Sequence, residues 1–169
     1  MKNWLPVILI VFVGCSTKST DNAPKLIESL KDSNPDIRYS AAKSLGELGP
    51  AAAGAADALA SALKDRDPAV RIEATYALAK MGPEASSAIP ALTRALQDHN
   101  REVVLGALYA LPAMGPQAAS ALPALQNPLR SADDEVRREV ARCIMKIKIA
   151  VKYQQAHAHR DVNLQAGRP

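Results

Sequence analysis

The sequence predicts an all-α protein, a right-handed α-solenoid of about four two-helix repeats. Three observations carry this: residue series spaced 33 apart, an apolar fraction supplied above all by alanine, and an aromatic content of only 4%. Leu30, Leu63, Leu96 and Leu129 form one series. Ile37, Val70, Val103 and Val136 form a second, and Leu45, Leu78, Leu111 and Ile144 a third. Gly49-Pro50, Gly82-Pro83 and Gly115-Pro116 keep the same register, with Lys148-Ile149 in their place in the fourth unit. A fixed period of this length marks stacked units that bury their apolar faces against one another. Alanine favours helix but buries little surface per residue, so closely approaching helices are expected rather than a core of large side chains.

Each unit reads as a short helix followed by a longer one. The short helices are "APKLIESLKD", "ADALASALKD", "IPALTRALQD" and "LPALQNPLR". Pro24, Pro90 and Pro123 lie near their starts, where a missing N–H costs nothing. Asn34, Asp67, Asn100 and Asp133 recur as N-caps of the long helices, accepting from free first-turn amides. Pro35 and Pro68 take the first helical position, and Asp36, Glu102 and Glu135 suit the positive helix end. Gly49, Gly82 and Gly115 stand where a left-handed C-cap is wanted, with proline next to stop the helix. The Gly-Pro-x-Ala stretch then forms a tight turn or one extra helical turn. Pro112 is expected to kink the third long helix.

On the second long helix Val70, Ala74, Ala77, Leu78 and Met81 share one apolar arc. The alanines there, with Ala107 and Ala110, let neighbouring helices approach. Cys143 occupies the position of Ser44, Ala77 and Ala110, which makes it a buried small residue; a reactive thiol would need an exposed, electropositive site.

Residues 67–82, from Asp67-Pro68 through Val70-Arg71, Ala74, Ala77-Leu78 and Met81-Gly82, follow the pattern D-P-x-V-R-x-x-A-x-x-A-L-x-x-[LIM]-G. In this the chain resembles the HEAT-like repeats described around phycobilisome lyases. Residues 34–49 match comparably, 100–115 less well, and 133–148 as a degenerate end unit. The Thr-Pro-Leu-His signature of ankyrin repeats and the aromatic positions of tetratricopeptide repeats are missing. The resemblance implies that Arg38, Arg71 and Arg137 join a ladder with loop aspartates, here Asp32, Asp65 or Asp98, interrupted where Val104 replaces the arginine. Phosphate binding is the alternative for these arginines. Second helices line the concave surface of such stacks. Positions four apart on them read Tyr39-Lys43-Glu47, Ile72-Tyr76-Lys80, Leu105-Tyr109-Ala113 and Arg138-Arg142-Lys146. An apolar, aromatic strip ending in a basic patch is therefore expected. Tyr39, Lys43, Ile72, Tyr76, Lys80, Leu105 and Tyr109 are its candidate protein-binding residues, the alternative being that the rings pad gaps between repeats.

The first residues stand apart from the fold. "MKNWLPVILIVFVGC" has one lysine, nine apolar-run residues from Leu5 to Val13, then Gly14-Cys15. That run suits a signal-peptide core and is too short to span a bilayer. Phe12-Val13-Gly14-Cys15 resembles the lipobox of bacterial lipoprotein precursors, with phenylalanine where leucine is usual. The resemblance implies cleavage before Cys15, a thiol-linked diacylglycerol, palmitate incorporation and anchoring in the bacterial cell envelope. Ser16 in place of aspartate favours the outer membrane if the organism has one. With Cys15 acylated, Cys143 has no disulfide partner.

The expected organisation is a signal peptide at 1–14, a lipidated tether at 15–23, the repeat domain at 24–152 and a polar, disordered tail at 153–169. The formal charge of +4 points to no nucleic-acid partner by itself. The basic run of the last helix reads as a solvated cap, with anionic lipid as the alternative. His157 and His159 lack companion ligands at metal spacing. No phosphate loop, catalytic triad or zinc spacing is present, so no catalytic residue, cofactor, metal or small-molecule substrate is expected. The reading is a membrane-anchored, non-catalytic protein–protein interaction module that presents a concave helical surface to a protein or peptide. The alternatives are a structural scaffold subunit of an envelope complex, or an enzyme resembling the lyases built on this fold.

Overall fold

The computed structural model describes residues 22–166, without the side chains of Leu129, His159 and residues 161–166. The leader at 1–14, Cys15 and most of the tether lie outside the described residues. Seven α-helices are found among those described: α1 (Ala23–Ser29), α2 (Pro35–Leu48), α3 (Ala56–Ala62), α4 (Pro68–Met81), α5 (Ile89–Ala95), α6 (Arg101–Ala113) and α7 (Asp134–Ala166). Tether residue Ala23 already begins α1. The long helices α2, α4, α6 and α7 pack side by side in chain order, and the short helices form a second layer. The architecture is an α-solenoid.

All four expected N-caps form. The Asn34 carboxamide accepts from Asp36 N–H at 2.9 Å, and the Asp67 carboxylate from Ala69 N–H at 2.8 Å. Asn100 accepts from Glu102 N–H at 2.9 Å, and Asp133 from Glu135 N–H at 2.8 Å and Val136 N–H at 3.1 Å. These local bonds set the start of each long helix from a single Asx residue.

At the other end the glycines behave differently from a left-handed cap. Gly49 has φ 59° and ψ −136°, and Gly82 has φ 69° and ψ −142°. The positive φ suits glycine, but the following proline excludes helical ψ values and drives the residue extended. The chain thus turns sharply into 3-10 segments, Gly49–Ala55 and Gly82–Ala88, kinked at Ala52 and Ala85 respectively, so that the Gly-Pro-x-Ala stretch makes the single extra turn expected and a second short turn follows it. Each passes into the next short helix.

The fourth unit departs furthest. No short α-helix forms there; Gly115–Gln126 and Pro128–Arg130 are 3-10 throughout. Pro128 stands where the second and third units carry Ala62 and Ala95; it removes an amide donor and crowds the preceding turn, so an α-helical ladder cannot run across it, whereas Pro123 shares the register of Pro90. Pro112 lies in the last turn of α6, which stops at Ala113, one position before the end of α4 in register. Residues 153–166, expected as a disordered tail, continue α7 as helix. Lys148-Ile149 replaces the Gly-Pro stop, and no glycine or proline follows before Gly167. The helix formers in "KYQQAHAH" extend it despite their polarity.

The core is built as the alanine pattern predicts. Ala74, Ala77, Ala107 and Ala110 are fully buried beside Leu45, Leu78, Leu92 and Leu111. Two glycines mark close helix approaches. A Cβ on Gly46 would lie 2.8 Å from Ala77 Cα, and one on Gly106 would fall on the Thr75 hydroxyl.

Candidate functional site

An arginine–aspartate ladder decides which cations are free. Arg38 on α2 donates through Nε and Nη2 to both Asp65 carboxylate oxygens, at 2.6 and 2.7 Å, and through Nη1 to the Asp32 carbonyl at 2.9 Å. Arg71 on α4 repeats the arrangement on Asp98, at 2.8 and 2.9 Å, and on the Asp65 carbonyl at 2.9 Å. Each aspartate also accepts from the amide two residues on: Asp65 from Asp67 at 2.9 Å, Asp98 from Asn100 at 2.8 Å. Such bidentate, charge-assisted pairs tie one unit to the next. They also occupy both guanidinium edges, so the phosphate alternative loses its donors at Arg38 and Arg71.

The electrostatics agree. The Arg38 hydrogen bond holds the Asp65 carboxyl below its ordinary value. For Asp98 burial pushes upward, but the bonds from Arg71 and the Asn100 amide outweigh it, and the net direction is down. The lost rung at Val104 is lost on both sides, since Ser131 stands where Asp65 and Asp98 stand. The interruption is nevertheless bridged. Arg101, three residues earlier, donates to Asp133 at 2.6 Å and also bonds Glu135. Sequence reading missed this pair; the charge excess at 101, 133 and 135 was the available signal.

The predicted strip divides in two. Ile72 and Leu105 are half-buried and pack on the core. Tyr39, Tyr76 and Tyr109 stand outside it, with Tyr76 37% and Tyr109 63% exposed. The Tyr76 and Tyr109 rings meet across α4 and α6, centroids 6.2 Å apart and planes tilted by 59°. Exposed Lys43 and Lys80 flank the rings on the same face. Rings in contact yet open to solvent offer flat apolar surface with a polar edge, the chemistry favoured at protein interfaces. Of the basic patch, Arg142 is paired with Glu139, and Arg138 and Lys146 are exposed.

Cys143 is buried in the core, and burial pushes its thiol up to about 12, so it carries no thiolate at neutral pH. Among the described residues no group of three or more His, Cys, Asp or Glu is placed to hold a metal ion, and no helix is long and apolar enough to cross a membrane. His157 instead packs its ring on Tyr153, centroids 4.2 Å apart.

The profile of the HEAT-repeat family matches residues 23–112. The chain belongs to the HEAT-repeat family. No curated protein matches the HEAT chain. Among solved structures it is similar to an engineered protein at 25% identity and TM-score 0.65, covering 77% of this chain and 64% of that one. It is similar at 25% identity and TM-score 0.66 to a chain of the phycocyanin lyase complex of CpcE and CpcF from Nostoc sp. PCC7120, covering 82% of this chain and 57% of that one. A designed armadillo repeat protein in complex with the peptide (KR)4 shares the fold at 19% identity and TM-score 0.63, with 76% and 69% covered. The HEAT chain thus spans less than two-thirds of the first and second of these.

Proposed function

We propose that this HEAT-repeat chain is a membrane-anchored, non-catalytic module that holds a protein or peptide on the exposed face of its long helices. The observation that carries the reading is the Tyr76–Tyr109 ring pair, solvent-open and flanked by Lys43 and Lys80. An aromatic pair on rigid helices loses little entropy on binding, which suits a docking surface. That a designed repeat protein of the same fold holds a peptide supports the reading at the level of architecture.

Cross-linking in intact cells followed by mass spectrometry identifies the partner. Tyr76→Ala combined with Tyr109→Ala is expected to weaken its capture on the order of tenfold or more. The helical melt should stay nearly unchanged, because exposed positions seldom matter by more than about 0.5 kcal/mol. A large loss of stability would show the rings to be core. Photo-crosslinkers at Tyr76 and Tyr109, compared with Arg94 on α5, separate this module from a scaffold gripped by its short-helix layer.

The anchor belongs to the same proposal. Cys15 takes the lipid, placing the chain in the cell envelope, with the outer membrane favoured where there is one. Labelled palmitate should enter the wild-type chain and be absent from Cys15→Ser, which should also leave the membrane fraction. Palmitate retained in the variant would refute the assignment.

A further inference from the structure

The two ends of the stack are the two halves of the interface that the stack repeats internally. Ala42, Thr75 and Leu108 are buried where each long helix meets the next; their fourth-unit counterpart, Ala141, is exposed. Gly46 lies against Ala77 of the following helix, while its counterpart Met145 on α7 is 56% exposed, with no further helix packed on it among the described residues. At the opposite end Val70, Val103 and Val136 are buried by the preceding unit, and Ile37, in register with them, is 42% exposed.

The ladder is cut at the same two places. Arg137 keeps the backbone anchor of its counterparts, Nη1 donating to the Ser131 carbonyl at 2.6 Å. The edge that in Arg38 and Arg71 reaches the next aspartate turns back instead to Asp134 on its own helix. Asp32 caps the Asn34 amide at 2.8 Å as Asp65 and Asp98 cap theirs, but no arginine pairs with it among the described residues. One end offers a cation beside exposed methionine and alanine; the other offers its carboxylate beside exposed isoleucine.

We propose that a second copy of this chain docks head to tail, α7 of one copy against α2 of the other, with Arg137 of the first paired to Asp32 of the second. The contact continues the internal α2–α4 geometry, and the charges and apolar positions correspond in register. Lys148-Ile149 suits this, because α7 continues along its own axis instead of turning a 3-10 segment back over the stack. A heterologous contact of this kind either closes into a ring or extends as a chain.

The test is sedimentation velocity on the full chain in mild detergent over a range of protein concentrations. Wild type should sediment faster as concentration rises. Arg137→Glu and Asp32→Arg should each weaken association on the order of tenfold or more, since each alone sets like charges face to face. An equimolar mixture of the two variants should recover it, because opposite charges then meet at every junction. Met145→Glu should weaken association without recovery, which covers the case where a ladder variant fails to fold. A wild-type chain that stays monomeric at every concentration would overturn the proposal. So would association indifferent to both charge reversals, the signature of shared micelles or another surface. Equally fatal would be reversals that reduce only binding to vesicles containing phosphatidylglycerol, the result expected if α7 faces lipid.

Discussion

Asp98→Ala is expected to lower unfolding stability by about 2–4 kcal/mol, read as a shift in the urea midpoint at neutral pH. The carboxylate is only 14% exposed and Arg71 only 16%, so the variant leaves a desolvated guanidinium with one edge unsatisfied. Breaking a fully buried pair costs about 3–5 kcal/mol, and the residual exposure places this rung below that limit. The lost acceptor for Asn100 N–H adds to the effect. Arg71→Met in the Asp98→Ala background should restore part of the stability, since removing both partners leaves no stranded charge. An undiminished urea midpoint in Asp98→Ala would mean that the ladder is ornamental.

This rung and the Arg38–Asp65 rung together set an acid limit. Asp65 and Asp98 have folded-state values below the ordinary carboxylate value near 4. A depressed folded value means that the contribution is fully present above the unfolded value and is lost as pH falls through the folded one. Wild type should therefore lose stability progressively below about pH 4. Asp98→Ala should lose less over that range, having less to forfeit.

Gly46→Val should cost about 1–3 kcal/mol and lower the thermal midpoint. The obstacle is backbone: a Cβ there sits 2.8 Å from Ala77 Cα and 3.0 Å from Ala77 Cβ, so α2 and α4 must separate. Valine gains some helix propensity over glycine, by less than about 1 kcal/mol, which does not offset helix separation. Gly54→Ala is the matched control. Its Cβ meets nothing within 4 Å, so that variant should be neutral or slightly more stable. Equal melts for the two variants would show that α2 and α4 are not held at this spacing.

The parts of this fold readable without coordinates are those whose causes are local. The Asx caps at 34, 67, 100 and 133 each bond an amide two residues away, and the Gly-Pro pairs stop helices through their own dihedrals. The buried alanines follow from period alone. Where local reading erred, a neighbouring residue decided: proline forced Gly49 and Gly82 out of the left-handed cap, and Pro128 denied the fourth unit its short α-helix. The polarity of residues 153–166 suggested disorder, although nothing in their backbone chemistry ends a helix.

Tertiary structure decided what depends on distance between units. Arg38 and Arg71 each reach the aspartate 27 positions ahead, a pairing made only where one long helix packs against the next unit. The packing of α6 on α7, invisible in a 33-residue period, brings Arg101 to Asp133 in place of the missing rung. Packing likewise split one predicted strip, drawing Ile72 and Leu105 toward the core while leaving Tyr76 and Tyr109 touching in solvent. Periodicity determines which residues share a face, through backbone geometry alone; only the spacing of packed helices determines which of them meet.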